Sequence, residues 1–280
     1  MIHFDREELL NILYESDVKL TALTFIKEIK SRFSISASDA KKVLQSLIDD
    51  QELSYHYLYG ATYIEKSFLK PVQVTTHFLL KPPGYTVQSA RHQLSKNKAC
   101  PNRIDLIIEQ GISFGSGQHP TTRLCLTAIE FCLFKKKLVG FNRNVSCADI
   151  GTGSGVLALA MCLTGFDSCK AYEIDPVSIS EAKRNIKSNQ LTDRIKIFEV
   201  PFKESTKKFS MISANLRYPT LVSLSDIIFN SLVKKGVVIL SGVREWEKEK
   251  LLNTYSKNKF ELIWQQDEKK WSAFVFIKKS

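Results

Sequence analysis

The chain has 280 residues, a length that suggests about two domains of roughly 100–200 residues each. Its 44% hydrophobic and 25% charged residues are ordinary for a globular protein and exclude collagen, coiled coils and disordered chains. The longest apolar run, Val156 to Leu163, is far shorter than the roughly 20 residues of a membrane span, and the first residues lack a signal-peptide pattern. We therefore expect a soluble, cytoplasmic protein without a membrane partner.

The net charge of +11 is distributed unevenly along the chain. Residues 1–66 hold 8 basic and 11 acidic side chains, whereas residues 67–280 hold 32 and 18. A binding patch for an anionic partner would therefore lie in residues 67–280. The alternative explanation of this charge is a basic surface that contacts only solvent. The six cysteines include no Cys-x-x-Cys pair, so we predict small buried thiols and no metal site.

Residues 1–66 predict a winged-helix-like α+β domain. Apolar residues at helical spacing indicate three helices, around residues 9–13, 23–33 and 40–48, and Ser36 or Ser38 can cap the third. Two alternating runs then flank a turn at Tyr59-Gly60, as in a β-hairpin. Three helices followed by a hairpin resemble a winged helix-turn-helix.

The charges of this domain argue against DNA binding. The third helix of such a domain commonly enters the major groove, but here Lys41 and Lys42 stand against three aspartates. Phosphate contacts supply most of the affinity for DNA, so we interpret the domain as a protein-docking module and keep a DNA-binding regulator as the alternative. Exposed tyrosines would suit such an interface, and we expect at least two from the set Tyr55, Tyr57, Tyr59 and Tyr63.

Residues 145–175 predict a βαβ nucleotide-binding unit. A buried strand from Val145 to Ile150 leads into the glycine-rich run 151–155 and a helix from Val156 to Leu163. A second strand, Ala171-Tyr172-Glu173, ends in an acid. Glycines let a ligand approach the backbone, and an acid at this point binds ribose hydroxyls.

Asp149 distinguishes between the possible ligands of this unit. It precedes Gly151 by two residues, where its carboxylate would face the pyrophosphate of a dinucleotide. Like charges about 4 Å apart cost about 4 kcal/mol at an effective dielectric constant near 20. The same carboxylate suits the ammonium and sulfonium of S-adenosylmethionine, so the pattern favours that ligand over a dinucleotide.

A second motif lies in residues 114–123, Phe-Gly-Ser-Gly-Gln-His-Pro-Thr-Thr-Arg. Pro120 suits the first turn of a helix running to about Phe134. We expect free amides and the hydroxyls of Thr121 and Thr122 to face outward and attract the methionine carboxylate of the donor. His119, directly before the proline, is interpreted as a helix-capping or orienting residue rather than a general base.

Several blocks in this order resemble the PrmA family, which methylates protein eleven of the large ribosomal subunit. They are residues 114–122, residues 149–155, Glu173-Ile174-Asp175-Pro176, Ala214-Asn215-Leu216 and residues 235–242. The resemblance covers about residues 100–280. It implies S-adenosylmethionine as the cofactor and a ribosomal protein as the substrate.

The resemblance also implies site residues. Thr122, Gly151, Glu173 and Asn215 would contact the cofactor, and we add four residues of the motifs above, Phe114, Asp149, Gly153 and Gly155. We assign Asn215 and Leu216 as catalytic, on the hypothesis that the Asn215 side-chain oxygen and the Leu216 carbonyl accept the hydrogens of the substrate amine.

The implied fold is that of a class I methyltransferase, an α/β Rossmann-like domain with a seven-stranded, mostly parallel sheet. Strands are expected near 145–150, 170–174, 195–199, 209–214 and 236–241, with a final hairpin from Glu261 to Ile277. Helices are expected near 177–189 and 219–233, the second ended by Gly236. We divide the chain into the winged-helix-like domain at 1–66, a connector and start of the catalytic region at 67–112, and the methyltransferase domain at 113–280.

The preferred function is S-adenosylmethionine-dependent methylation of a protein amine, a lysine side chain or an N-terminal amine, most simply on a ribosomal protein. Two alternatives remain open. The same core can act on another protein, an RNA or a small molecule, or the fold can sense a ligand in a DNA-binding regulator. The sequence indicates neither the methylated residue nor the oligomeric state.

Overall fold

The structure is a computed structural model that describes residues 5–16, 18–58, 60–85, 103–109, 111, 113–115, 117, 119–140, 145–203 and 208–279. It contains two compact units, Met1–Lys70 and Pro71–Ser280. No helix in these ranges is both long enough and apolar enough to cross a membrane.

The first unit consists of three helices and a hairpin. The helices are α1 (Arg6–Glu15), α2 (Ala22–Phe33) and α3 (Ala37–Asp49), and the antiparallel strands are β1 (Leu53–Leu58) and β2 (Ala61–Lys66). Each helix begins at a side-chain cap, Asp5, Thr21 or Ser36, which accepts a hydrogen bond from a first-turn amide. Leucines, isoleucines and Phe25 from all three helices and both strands form one buried core. Tyr59, in the predicted turn, lies outside the described residues.

The second unit begins with a small three-stranded sheet. It contains β3 (Val72–Gln73), β4 (Phe78–Lys81) and β5 (Ile104–Ile107), with β4 and β5 parallel. The mainly apolar run at residues 104–107 forms β5. In the turn that follows β4, Gly84 has a φ of 74°.

A seven-stranded sheet forms the body of the second unit. Its strands are β6 (Ser146–Ile150), β7 (Ser168–Tyr172), β8 (Ile195–Phe198), β9 (Phe209–Asn215), β10 (Leu232–Arg244), β11 (Phe260–Glu268) and β12 (Trp271–Lys278). Their order across the sheet is β11-β12-β10-β9-β6-β7-β8. Within this sheet β10, β9, β6, β7 and β8 run parallel to one another. Strand β12 is antiparallel to both of its neighbours, β10 and β11.

Helices connect these strands. They are α4 (Pro120–Glu130), continued by a π-helical turn at Phe131–Lys135, then α5 (Val156–Leu163), α6 (Pro176–Ser188), α7 (Tyr218–Ser223), α8 (Ser225–Ser231) and α9 (Lys248–Lys257). Consecutive residues of the central strands are buried, as along 147–150 and 211–214. Side chains of a strand alternate between faces, so both faces of the sheet are covered.

The prediction that one helix near 219–233 is ended by Gly236 is wrong. Instead of one helix ended by Gly236, the chain forms two short helices, and β10 already begins at Leu232. Lys235 adopts a left-handed φ of 59°, and the register of β10 on β9 shifts between Leu232 and Val237. A Cβ atom on Gly236 would lie 2.9 Å from the Val233 carbonyl oxygen, so this glycine serves an irregularity within the strand rather than a helix end.

Candidate functional site

The glycine-rich loop joins β6 to α5 and packs tightly against two other segments. Gly151, Gly153 and Gly155 have φ values of 68°, 55° and 86°, which favour glycine. A Cβ atom on Gly153 would overlap the Phe114 carbonyl oxygen, and one on Gly151 would overlap the Leu216 side chain. The loop therefore needs glycines both for its backbone shape and for the close approach of its neighbours.

Asp149 lies under this loop, where it is only 1% exposed. Its two carboxylate oxygens accept hydrogen bonds from the hydroxyls of Thr152 and Ser213, both at 2.6 Å. Burial raises the pKa of Asp149 from 3.8 to about 6, and the two hydroxyl hydrogen bonds act in the opposite direction. At neutral pH the site thus contains a buried negative charge that two hydroxyl groups stabilise.

Glu173 directly follows β7 and binds the same loop. One of its carboxylate oxygens accepts a hydrogen bond from the Gly153 amide at 3.0 Å. The other accepts hydrogen bonds from the Ile174 and Asp175 amides, at 2.8 and 3.1 Å. These contacts hold a second carboxylate next to the glycine loop.

The 114–123 motif forms the start of α4. His119 caps the helix, because its Nδ1 atom accepts a hydrogen bond from the Thr121 amide, and Pro120 occupies the first turn, as predicted. The expectation of free amides and outward-facing hydroxyls at Thr121 and Thr122 is wrong: both residues are fully buried, the Thr121 amide donates to His119, and the Thr122 amide donates to the His119 carbonyl oxygen. The reason is that His119 itself accepts the hydrogen bonds of the first amides of the helix. Ser116 and Gln118 lie outside the described residues.

Thr122 nevertheless retains one unused group. Its buried hydroxyl oxygen has no hydrogen-bond partner among the described residues. A buried polar atom without a partner is costly. It is therefore a position where a bound ligand would restore a hydrogen bond.

Asn215 and Leu216 follow the end of β9. The side-chain oxygen of Asn215 is buried and has no partner in the described part of the chain. The Leu216 amide donates to the Ser241 carbonyl oxygen at 3.0 Å. The Leu216 carbonyl lies so close to Gly242 that a Cβ atom there would overlap it, which fixes the path of the segment.

The predicted site residues thus lie along one edge of the sheet. Strands β9, β6 and β7 are adjacent, and their carboxyl ends place Asn215, Asp149 and Glu173. Residues 113–115, the Phe114 loop, are attached to this edge, because the Phe114 carbonyl oxygen accepts a hydrogen bond from the Ser154 amide at 2.9 Å. Phe114 itself is 48% exposed, with its ring 4.9 Å from that of His119. Ligands of open α/β sheets bind at this edge.

Sequence reasoning missed the residues that support these groups. Thr152 and Ser213 hold the Asp149 carboxylate, and the Ser154 hydroxyl donates to the Gly115 carbonyl oxygen at 2.9 Å. A signal was present for Ser213, because it is a polar residue within the apolar run Met211-Ile212-Ser213-Ala214. Within the described ranges, no group of three or more His, Cys, Asp or Glu side chains is placed to hold a metal ion.

The strand order, the single antiparallel strand next to β10, and an acidic, glycine-rich loop after the central strand define a class I methyltransferase fold. A crystal structure of ribosomal protein L11 methylase from Lactobacillus delbrueckii subsp. bulgaricus has this fold, with a TM-score of 0.61 and 22% identity over 75% of this chain and all of that chain. The family model for ribosomal protein L11 methyltransferase (PrmA) matches residues 13–279, and the chain belongs to this family.

Curated relatives agree with this assignment. The ribosomal protein L11 methyltransferase of Streptococcus pyogenes is 31% identical over 254 residues, which cover 90% of this chain and 74% of the relative. That of Geotalea daltonii is 29% identical over 211 residues, 74% of this chain. The chain spans 64% of the length of the Geotalea protein.

The cofactor of class I methyltransferases is S-adenosylmethionine, and the residues present fit it. The donor carries an ammonium and a sulfonium, a carboxylate and a ribose. The chain offers a buried carboxylate at Asp149, a second one at Glu173, and unpartnered polar oxygens at Thr122 and Asn215. Gly151 and Gly153 let Leu216 and Phe114 approach the main chain of the loop at the same edge.

Proposed function

We propose that this chain is an S-adenosylmethionine-dependent protein methyltransferase that transfers methyl groups to amines of a ribosomal protein, on a lysine side chain or an N-terminus. The observation that carries the proposal is the buried, unpartnered side-chain oxygen of Asn215 at the carboxyl end of β9. An oxygen acceptor at this position suits a substrate that brings N–H donors, and an amine does so.

The donor-binding roles follow from the chemistry of each group. The Asp149 charge would favour the ammonium and sulfonium, and Glu173 would accept hydrogen bonds from the ribose hydroxyls. The Thr122 hydroxyl supplies a donor for the methionine carboxylate. Phe114 and the three loop glycines, Gly151, Gly153 and Gly155, form the walls against which the donor would lie.

When bound, S-adenosylmethionine would supply the methyl group: the nitrogen of the neutral amine would form a bond to the methyl carbon as the carbon–sulphur bond breaks, and S-adenosylhomocysteine would leave. A lysine amine has an ordinary pKa near 10.4, so removal of its proton at neutral pH costs about 4–5 kcal/mol. The residues of the chain contribute by orienting the amine: the Asn215 oxygen and the Leu216 carbonyl would accept two of its hydrogens and direct the lone pair. Partial exclusion of water beside the cationic sulfonium would lower the pKa of the amine and so reduce the cost of removing its proton.

The first unit is proposed as a winged-helix-like docking module for the protein substrate. Tyr55 and Tyr57 lie on the same face of β1 and are 49% and 74% exposed. Exposed tyrosines are typical of protein interfaces, and the acidic balance of residues 1–66 suits a basic partner such as a ribosomal protein. In this scheme residues 67–112 connect the module to the methyltransferase domain at 113–280, and the enzyme works in the cytoplasm.

Labelling identifies the substrate. The purified chain would be incubated with methyl-labelled S-adenosylmethionine and large-subunit ribosomal proteins or whole lysate, and the label located by mass spectrometry. We expect label on an amine of a ribosomal protein, and far slower labelling with the variant Asn215→Ala. Label on RNA or a small molecule would instead support the same core with another substrate, and absence of any transfer would contradict the proposal.

A further inference from the structure

A polar stripe on α6 binds the chain segment that leads into the Phe114 loop. The stripe consists of Glu181, Asn185 and Asn189, which are four residues apart and therefore lie on one face of the helix. Asn189 accepts a hydrogen bond from the Ile107 amide at 3.0 Å, and Asn185 accepts one from the Glu109 amide at 2.9 Å. Asn185 and Asn189 thus satisfy the main-chain amides of the last residue of β5 and of the segment that follows it.

Glu181 is the member of the stripe that contacts the residues just before Phe114. It is 6% exposed, and its carboxylate accepts a hydrogen bond from the Ser113 amide at 3.1 Å. The carboxylate also packs directly on Gly111, where a Cβ atom would overlap its carbon and both oxygens. Glu181 therefore fixes the main chain immediately before Phe114.

From Ser113 the contacts continue into the glycine loop. The carbonyl oxygens of Phe114 and Gly115 accept hydrogen bonds from the Ser154 amide and hydroxyl, both at 2.9 Å. The Asn185 side-chain amide in turn donates to the Ser154 carbonyl oxygen at 2.9 Å. Helix α6, the Phe114 loop and the glycine loop are thereby bound to one another at Ser154.

We propose that Glu181 is a positioning residue for donor binding, which holds the Phe114 loop against the glycine loop through Gly111 and Ser113. This inference rests on the proposed function, because it concerns the S-adenosylmethionine site. Loss of the carboxylate would release the loop while α6 and the sheet keep their own contacts. The donor would then have to order the loop on binding, and its affinity would fall.

The test compares donor affinity with folding stability in the full chain. Calorimetric titration with S-adenosylmethionine should show a Kd about tenfold higher for Glu181→Ala, as expected for the loss of a hydrogen bond to a charged group. Glu181→Gln, which keeps an acceptor oxygen, should restore Kd to within about threefold. The matched control Asn189→Ala removes contacts at the far end of the stripe, so it should lower the urea midpoint of unfolding and leave Kd unchanged.

Gly111 provides a second, independent variant. Gly111→Ala adds a methyl group that displaces the Glu181 carboxylate, so it should raise Kd as Glu181→Ala does. In the Glu181→Ala background the same methyl group finds free space and should have no further effect.

The results distinguish a failure of the role of Glu181 from a failure of the proposed function. An unchanged Kd for Glu181→Ala, an equal rise for Asn189→Ala, or additive effects of the two alanine substitutions at 111 and 181 would overturn the inference. A wild-type chain that bound no donor would instead overturn the proposed function, and this inference with it.

Discussion

Replacement of Asp149 by Asn should make the protein more stable and a poorer donor binder at the same time. The carboxylate is 1% exposed, and its pKa is raised from 3.8 to about 6, mainly by burial. At about 1.36 kcal/mol per pKa unit, ionisation of this group in the folded state costs about 3 kcal/mol of stability above pH 6. An Asn amide is neutral and has nearly the same shape, so this cost is removed.

The hydrogen bonds of Asp149 reduce the expected gain. The hydroxyls of Thr152 and Ser213 both donate to the carboxylate, and one of them would have to turn and accept from the Asn amide. Hydrogen bonds to a charge contribute more than neutral ones. We therefore expect Asp149→Asn to raise the free energy of unfolding by about 1–3 kcal/mol at pH 8.

The stability difference between the wild type and Asp149→Asn should depend on pH in a defined direction. Because the folded-state pKa of Asp149 lies above the unfolded value, protonation favours the folded state, and wild-type stability falls as pH rises from about 4 to about 6. The advantage of the Asn variant should grow across this window and then level off. Urea unfolding followed by tryptophan fluorescence measures it, since all three tryptophans belong to the second unit.

The companion measurement is donor affinity. Loss of the buried negative charge should raise the Kd for S-adenosylmethionine by about tenfold or more, which corresponds to about 1.4 kcal/mol. An Asn variant that was less stable than the wild type at pH 8, with a difference independent of pH, would refute the reasoning. So would unchanged donor binding.

The other predictions concern the substrate amine, the ribose and the docking module. Asn215→Ala should leave donor binding measurable by calorimetry and lower kcat by about a hundredfold, because an orienting acceptor is lost; unchanged turnover would remove it from the mechanism. Glu173→Ala should raise the donor Kd about tenfold, and Glu173→Gln less, by calorimetry; equal effects of both would argue against hydrogen bonding. Tyr57→Ala should raise the KM for the protein substrate without changing the donor Kd. Residues 1–66 alone should give no salt-sensitive DNA binding in a gel shift, because this part of the chain is net acidic; such binding would favour the regulator.

Local sequence signals predicted much of the methyltransferase unit. The helix predicted from Val156 to Leu163 has these bounds in the structure, because a glycine run precedes an uninterrupted apolar stretch. The cap at His119 and the turn at Pro120 were predictable for a similar reason. In each case the residues that determine the conformation are adjacent in the chain.

Contacts between distant segments could not be predicted in this way. Ser213 reaches Asp149 only because β9 pairs with β6 in a particular register, 64 residues away in sequence. The contact of Glu181 with Gly111 depends equally on how α6 lies against the segment after β5. The error at Gly236 has another cause, because a glycine after a helical pattern fits both a helix end and an irregular strand.

We expect the edge of the sheet that carries Asp149, Glu173 and Asn215 to bind a cationic sulfonium donor rather than a dinucleotide. Calorimetric titration of the purified chain with S-adenosylmethionine, and separately with NADH, tests it most directly. The account predicts saturable heat with S-adenosylmethionine and none with NADH. Binding of NADH together with no heat from the sulfonium compound would contradict it.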